Sequence, residues 1–268
     1  MRKDKFLETL LENNSPVDKS QNKRESQSPW PIVILISGRG SNMRALVEQT
    51  DLNKQPSGSN LGKASTLKVA RVISDNPSAP GLIWAKEHGV DTVVLPDRAT
   101  LNSKKEYYDH LLARILEVQP KLVCLAGFMN VLPAFFIEAL FPKIINIHPS
   151  LLPAFPGLNT HERALAAGVT KHGCSIHIVI PEVDAGPLIA QALVQVDPED
   201  TPQTLSARVL EKEHQMYSWV VSMIYLEDIQ LGKTVSFSQN ARDGAVLQGY
   251  ILPSGTHSPG WLSSSSNV

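Results

Sequence analysis

The chain has 268 residues, 42% of them hydrophobic and 19% charged, so a sizeable core is available and wholesale disorder is excluded. Lys and Arg number 25 against 26 Asp and Glu, a net charge of -1, which argues against a general nucleic-acid coat or a polybasic membrane binder. The two cysteines, Cys124 and Cys174, are too few for a disulfide scaffold or a four-cysteine zinc site. Their apolar neighbours predict small buried hydrophobes.

Residues 1–29 mix Arg2, Lys3 and Lys5 with Asp4, Glu8 and Glu12, and no apolar stretch follows, so no targeting signal is read there. DKFLETLLE predicts one short amphipathic helix ahead of a polar lead-in. PIVILIS (31–37) is a continuous apolar run, as expected of a strand covered on both faces. GRGSN leads into a helix at MRALVEQT, and the polar stretch 51–66 reads as an inserted loop. LKVARVIS, DTVVLP, KLVCLAG and KIINIH predict four further strands. Between them lie helices at GLIWAKEHGV, SKKEYYDHLLARILEVQ and VLPAFFIEAL, the first stopped by Gly89. That alternation predicts an α/β fold with a doubly wound, mainly parallel sheet and a Rossmann-like N-terminal half.

After Ser150 the rhythm changes. A proline-rich loop, a short helix at HERALAAG, two consecutive strands (CSIHIVI and LIAQALVQV) and a long helix over 201–226 extend the sheet. The organisation expected is a polar extension over 1–29, a catalytic domain over 30–230, and a C-terminal extension over 231–268 ending in a Ser-rich tail. No apolar run reaches the about 18 residues of a membrane span, so a cytoplasmic protein is expected.

In open α/β sheets, ligands bind beyond the carboxyl ends of the strands. Three segments qualify. Ser37-Gly38-Arg39-Gly40-Ser41-Asn42 lies between a buried strand and a helix; it reads either as a phosphate cradle or as a plain tight turn. The pattern is neither a P-loop nor a full dinucleotide fingerprint. Asn146 and His148 project from one face of the fifth strand, where they could polarise a carbonyl and stabilise an oxyanion, or simply close the strand. Asp184 precedes Ala185-Gly186-Pro187, ordinary turn chemistry unless tertiary structure brings it to His148.

Taken in order, ISGRGSN, CLAGFMNVLP, NIHPSLLPAFPGLNTH and HIVIPEVDAGP resemble the folate-dependent formyltransferase family over about residues 31–228. The resemblance implies transfer of a formyl group from 10-formyltetrahydrofolate to the amine of 5-phosphoribosylglycinamide in purine synthesis, with no metal. By position, Asn146, His148 and Asp184 match the catalytic trio, with His148 protonated and Asp184 holding that charge. Gly40, Ser41 and Asn42 match the phosphate loop, and Glu213 matches the acid that contacts the ribose. Met129, Val131 and Leu132 match the pterin wall. Two departures stand out: Asn130 replaces an Arg common in the family, weakening one contact to the anionic folate, and Lys105 stands where another Arg is common.

The same trio would serve a formyltetrahydrofolate hydrolase, which carries a regulatory domain in front. A methionyl-tRNA formyltransferase would bring an extra C-terminal domain and a basic surface. A sugar-amine formyltransferase is a nearer alternative, and a catalytically inactive folate-binding module would be expected to lose one of the three residues. The partners expected are the two small molecules alone, with no nucleic acid and no membrane, on a monomer or weak homodimer.

Overall fold

A computed structural model describes residues 29–50 and 67–254; the N-terminal helix, the 51–66 insertion and the Ser-rich tail read from the sequence lie outside the described residues. Strand β1 (Trp30–Ile36) runs into helix α1 (Ser41–Thr50), and β2 (Leu67–Ser74) into α2 (Pro80–Glu87). Next come β3 (Thr92–Val94), a 3-10 turn (Arg98–Thr100) and α3 (Lys104–Leu116). Then follow β4 (Leu122–Leu125), α4 (Ala134–Leu140) and β5 (Ile144–His148). The second half comprises α5 (Thr160–Ala166), β6 (Lys171–Ile178), β7 (Leu188–Gln195) and the long α6 (Pro202–Tyr225). A two-stranded ribbon, β8 (Ile229–Gln230) with β9 (Ser236–Phe237), precedes α7 (Gln239–Gln248) and β10 (Tyr250–Ile251).

The main sheet has eight strands in the order β10-β7-β6-β5-β4-β1-β2-β3. Strands β1 to β5 pair in parallel, whereas β5–β6, β6–β7 and β7–β10 are antiparallel. The strand order reverses between β1 and β4, the place where an open α/β sheet opens a ligand crevice.

Both faces of β1 are covered, which is why its sequence is apolar without a break. Ile32, Ile34 and Ile36 pack into one core with residues of α1, α2 and α6. Val33 and Leu35 face the other core, built largely from α3 and α4. Cys124 in β4 and Cys174 in β6 are fully buried, as their neighbours predict. Burial pushes the Cys124 thiol up to about 12 and the Cys174 thiol upward too, leaving both as packing groups.

Candidate active site

The loops after β1 and β4 are tied together at the switch point. Ser37 N–H donates to the Gly127 carbonyl (3.0 Å), and Met129 N–H donates to Ser37 Oγ (2.9 Å). Gly40 has φ +68°, a left-handed conformation that favours glycine, and a Cβ there would stand 3.3 Å from Gly81 Cα. Its carbonyl accepts the Arg44 N–H at 2.9 Å and starts α1. Ser41 and Asn42 are therefore the first helical residues, in a turn with no acidic side chain. Their free N–H groups and the positive helix end suit an anion.

Asn42 joins this loop to the far half of the chain. Its Nδ2 donates to Glu213 Oε2 at 2.7 Å, while Asn42 Oδ1 is buried with no partner. Glu213 interrupts an otherwise apolar stripe on α6: Leu205, Val209, Met216, Tyr217, Val220 and Val221 are buried with it. Burial pushes its carboxyl up to about 7, against a smaller downward pull from Asn42. An acid in a core stripe is itself a legible sign of function.

Strand β5 presents the second group. The register sets Asn146 opposite His177 and His148 opposite Ser175, so these four side chains share one sheet face. His148 is buried and its Nε2 lies 3.0 Å from the Phe155 carbonyl, which can only accept; the proton of the neutral ring therefore sits on Nε2. Its Nδ1 faces Asp184 Oδ2 at 3.4 Å, and the Gly157 N–H donates to the same Oδ2 at 2.8 Å. The turn thus brings Asp184 to His148 across 36 residues of sequence, with Asp184 itself at φ 54°. Gly186 allows that turn: a Cβ there would stand 1.7 Å from the Ile178 carbonyl oxygen.

Burial lowers the His148 pKa below its ordinary 6.5; the Phe155 carbonyl and Asp184 pull it back up, while His177 and Arg163 push it further down. The net is downward, which favours the neutral ring. Asp184 is pushed up by burial, but His177, Gly157 and His148 more than reverse this, and it is fully ionised. A neutral ring with its free nitrogen toward a carboxylate is placed to receive a proton.

Nothing in the sequence points to His177. Its Nδ1–H donates to the Ile178 carbonyl (3.0 Å), and its Nε2 lies 3.2 Å from Asn146 Nδ2 and 3.6 Å from Asp184 Oδ1. The ring therefore fixes which way the Asn146 amide points. Only the antiparallel register of β5 and β6 brings the two together.

Around the proposed folate wall, Met129 and Val131 are 67% and 61% exposed, whereas Leu132 is 4% exposed and belongs to the core beneath. Asn130 donates to Asp75 Oδ2 and accepts from Arg98 Nη2, both at 2.5 Å. Arg98 lies 4.4 Å from the Tyr107 ring centroid. A guanidinium thus stands beside Asn130 although the family's own Arg is missing. Lys105 is otherwise engaged: its ammonium pairs with Asp109 at 2.8 Å along α3 and sits over Phe135. Among the described residues, no cluster of three or more His, Cys, Asp or Glu side chains is arranged to hold a metal ion, and no helix is long and apolar enough to cross a membrane.

An Asn–His–Asp cluster at the end of β5, in a doubly wound sheet whose β1 leads into a helix start without acidic side chains, fits an α/β enzyme of the group-transfer class. The formyl transferase family matches residues 31–221, and the chain belongs to that family. It is 39% identical to the phosphoribosylglycinamide formyltransferase of Escherichia coli (strain K12) over 191 residues, covering 71% of this chain and 85% of that protein. It is also 39% identical to the trifunctional purine biosynthetic protein adenosine-3 of Gallus gallus over 203 residues, but spans only 19% of that longer protein. The solved phosphoribosylglycinamide formyltransferase of Coxiella burnetii superposes with a TM-score of 0.70 at 40% identity, covering 78% of this chain and 93% of that one.

Proposed function

We propose that the protein transfers the formyl group of 10-formyltetrahydrofolate to the amine of 5-phosphoribosylglycinamide, as a phosphoribosylglycinamide formyltransferase of purine biosynthesis. The observation that carries this reading is the meeting of Asn146, His148 and Asp184 through His177 at the end of β5, together with the Gly40–Asn42 helix start after β1. The substrate amine attacks the formyl carbon, and the Asn146 amide, oriented by His177, stabilises the developing oxyanion. The proton leaving the amine passes to His148 Nδ1, where Asp184 stabilises the new imidazolium. It then moves to folate N10 as the carbon–nitrogen bond breaks, so no net proton is consumed.

The helix start at Gly40, Ser41 and Asn42 takes the phosphate, and Glu213 takes the ribose hydroxyls. Met129, Asn130, Val131 and the edge of Leu132 receive the folate, with Arg98 rather than Lys105 as the nearer cation. In this reading the catalytic domain is 30–230, the segment 231–268 is an extension, and the enzyme works in the cytoplasm without a metal, as a monomer or weak homodimer. The test mixes purified protein with 10-formyltetrahydrofolate, with and without glycinamide ribonucleotide. Tetrahydrofolate release that requires the amine is expected. Release at the same rate without it would convert the reading to a hydrolase.

A further inference from the structure

The loop that leaves β5 is bent in an unusual way. Phe155 has φ 54°, Gly157 77° and Asn159 55°, three left-handed residues within five positions. Two of them are not glycine, and each costs about 1 kcal/mol or more unless surrounding contacts hold it. This strap also carries two backbone groups of the site: the Phe155 carbonyl on His148 Nε2 and the Gly157 N–H on Asp184 Oδ2.

One side chain holds both. Arg163, on the exposed side of α5, donates through Nη1 to the Pro156 carbonyl at 2.5 Å and the Leu158 carbonyl at 3.3 Å, the carbonyls of the residues before and after Gly157. Its guanidinium carbon lies 5.7 Å from the Phe155 ring centroid. One guanidinium nitrogen thus bridges two carbonyls through its two N–H groups while the planar, delocalised cation lies near an aromatic ring. Arg163 reaches neither His148 nor Asp184 through a hydrogen bond, so any effect it has on them runs through the strap and through its charge.

We infer that Arg163 is a positioning residue: it locks the 155–158 strap so that Gly157 N–H stays on Asp184 and the Phe155 carbonyl stays on His148. This rests on the proposed formyl transfer. The experiment therefore reads the strap separately from the reaction, in the full chain, with the variants Arg163→Gln and Arg163→Lys. Hydrogen exchange at the Gly157 amide in Arg163→Gln is expected to quicken by about fivefold or more, the loss of one net hydrogen bond. With both substrates present, kcat is expected to fall roughly ten- to hundredfold with each KM within about twofold, as for a misplaced catalytic group. Arg163→Lys, keeping the charge on a shorter side chain without the guanidinium plane, should recover only part of kcat, and thermal midpoints should stay together. Both changes in Arg163→Gln are required. Unchanged Gly157 exchange, or kcat within twofold of the parent, overturns the inference. A parent protein that needs no amine substrate would overturn the function instead while leaving the exchange result readable.

Discussion

Replacing Glu213 by glutamine should make the protein more stable and a worse enzyme. The carboxyl is 6% exposed, and burial raises its pKa from 4.5 to about 7. Below pH 4.5 both folded and unfolded chains carry the proton and burial costs nothing extra. Between pH 4.5 and 7 the unfolded chain ionises while the folded one resists, so stability falls as pH rises and then levels off. At about 1.4 kcal/mol per pH unit, the span amounts to at most about 3 kcal/mol. The glutamine amide would be neutral throughout and could donate to Asn42 Oδ1, which is buried without a partner. Denaturant unfolding of parent and Glu213→Gln at pH 5 and pH 8 measures this directly. A gain of under about 1 kcal/mol at pH 5 and one approaching about 3 kcal/mol at pH 8 are expected. The KM for glycinamide ribonucleotide should rise by about tenfold or more, since a charged hydrogen bond is lost. Equal differences at the two pH values would refute the argument that an ionisable group is being buried at a cost.

Four other outcomes are expected. Because His148 must be neutral to accept the proton and its pKa lies below 6.5, kcat should hold through pH 7 and fall on the acid side of the ordinary histidine range. Asp184→Asn removes a group that raises this pKa, so its pH–rate profile should show the acid limb moved lower along with a reduced plateau; an upward move would contradict the assignment. Arg98→Ala should raise the KM for 10-formyltetrahydrofolate with kcat preserved, and steady-state kinetics showing the reverse pattern would remove Arg98 from the folate side. Gly186→Ala places a Cβ 1.7 Å from a backbone oxygen and should cost about 3 kcal/mol or more; an unaltered thermal midpoint would refute the tightness of that turn.

Legibility in the sequence depends on whether the governing interaction is local. The β1 run, Gly89 ending α2 in a left-handed conformation and the Thr201 capping box of α6 are all set by neighbours in sequence, and the elements follow. Asn146 and His148 are visible because strand alternation alone puts them on one face. His177 is not, because only pairing between β5 and β6 sets it against Asn146. The charge state of His148 is equally hidden, since burial outweighs the carboxylate and burial is a property of the whole fold. Arg163 looks like any surface arginine until the strap is seen. Strands β8, β9 and β10, of two residues each, carry too little periodicity to be read at all.

Those short strands matter for how the molecule behaves among its neighbours. The family match stops at residue 221, before β10 returns to pair Tyr250 with Ala192 and Ile251 with Gln191. Without that return, the eight residues of β7 would end the sheet as a bare edge with its hydrogen-bonding groups unspent. At the opposite side the sheet ends in β3, only three residues long. A chain cut at the family boundary would keep every group named in the chemistry and offer other copies a strand to join. The segment after α6 thus gives β7 a partner at Gln191 and Ala192, in the middle of an edge that the family core leaves open.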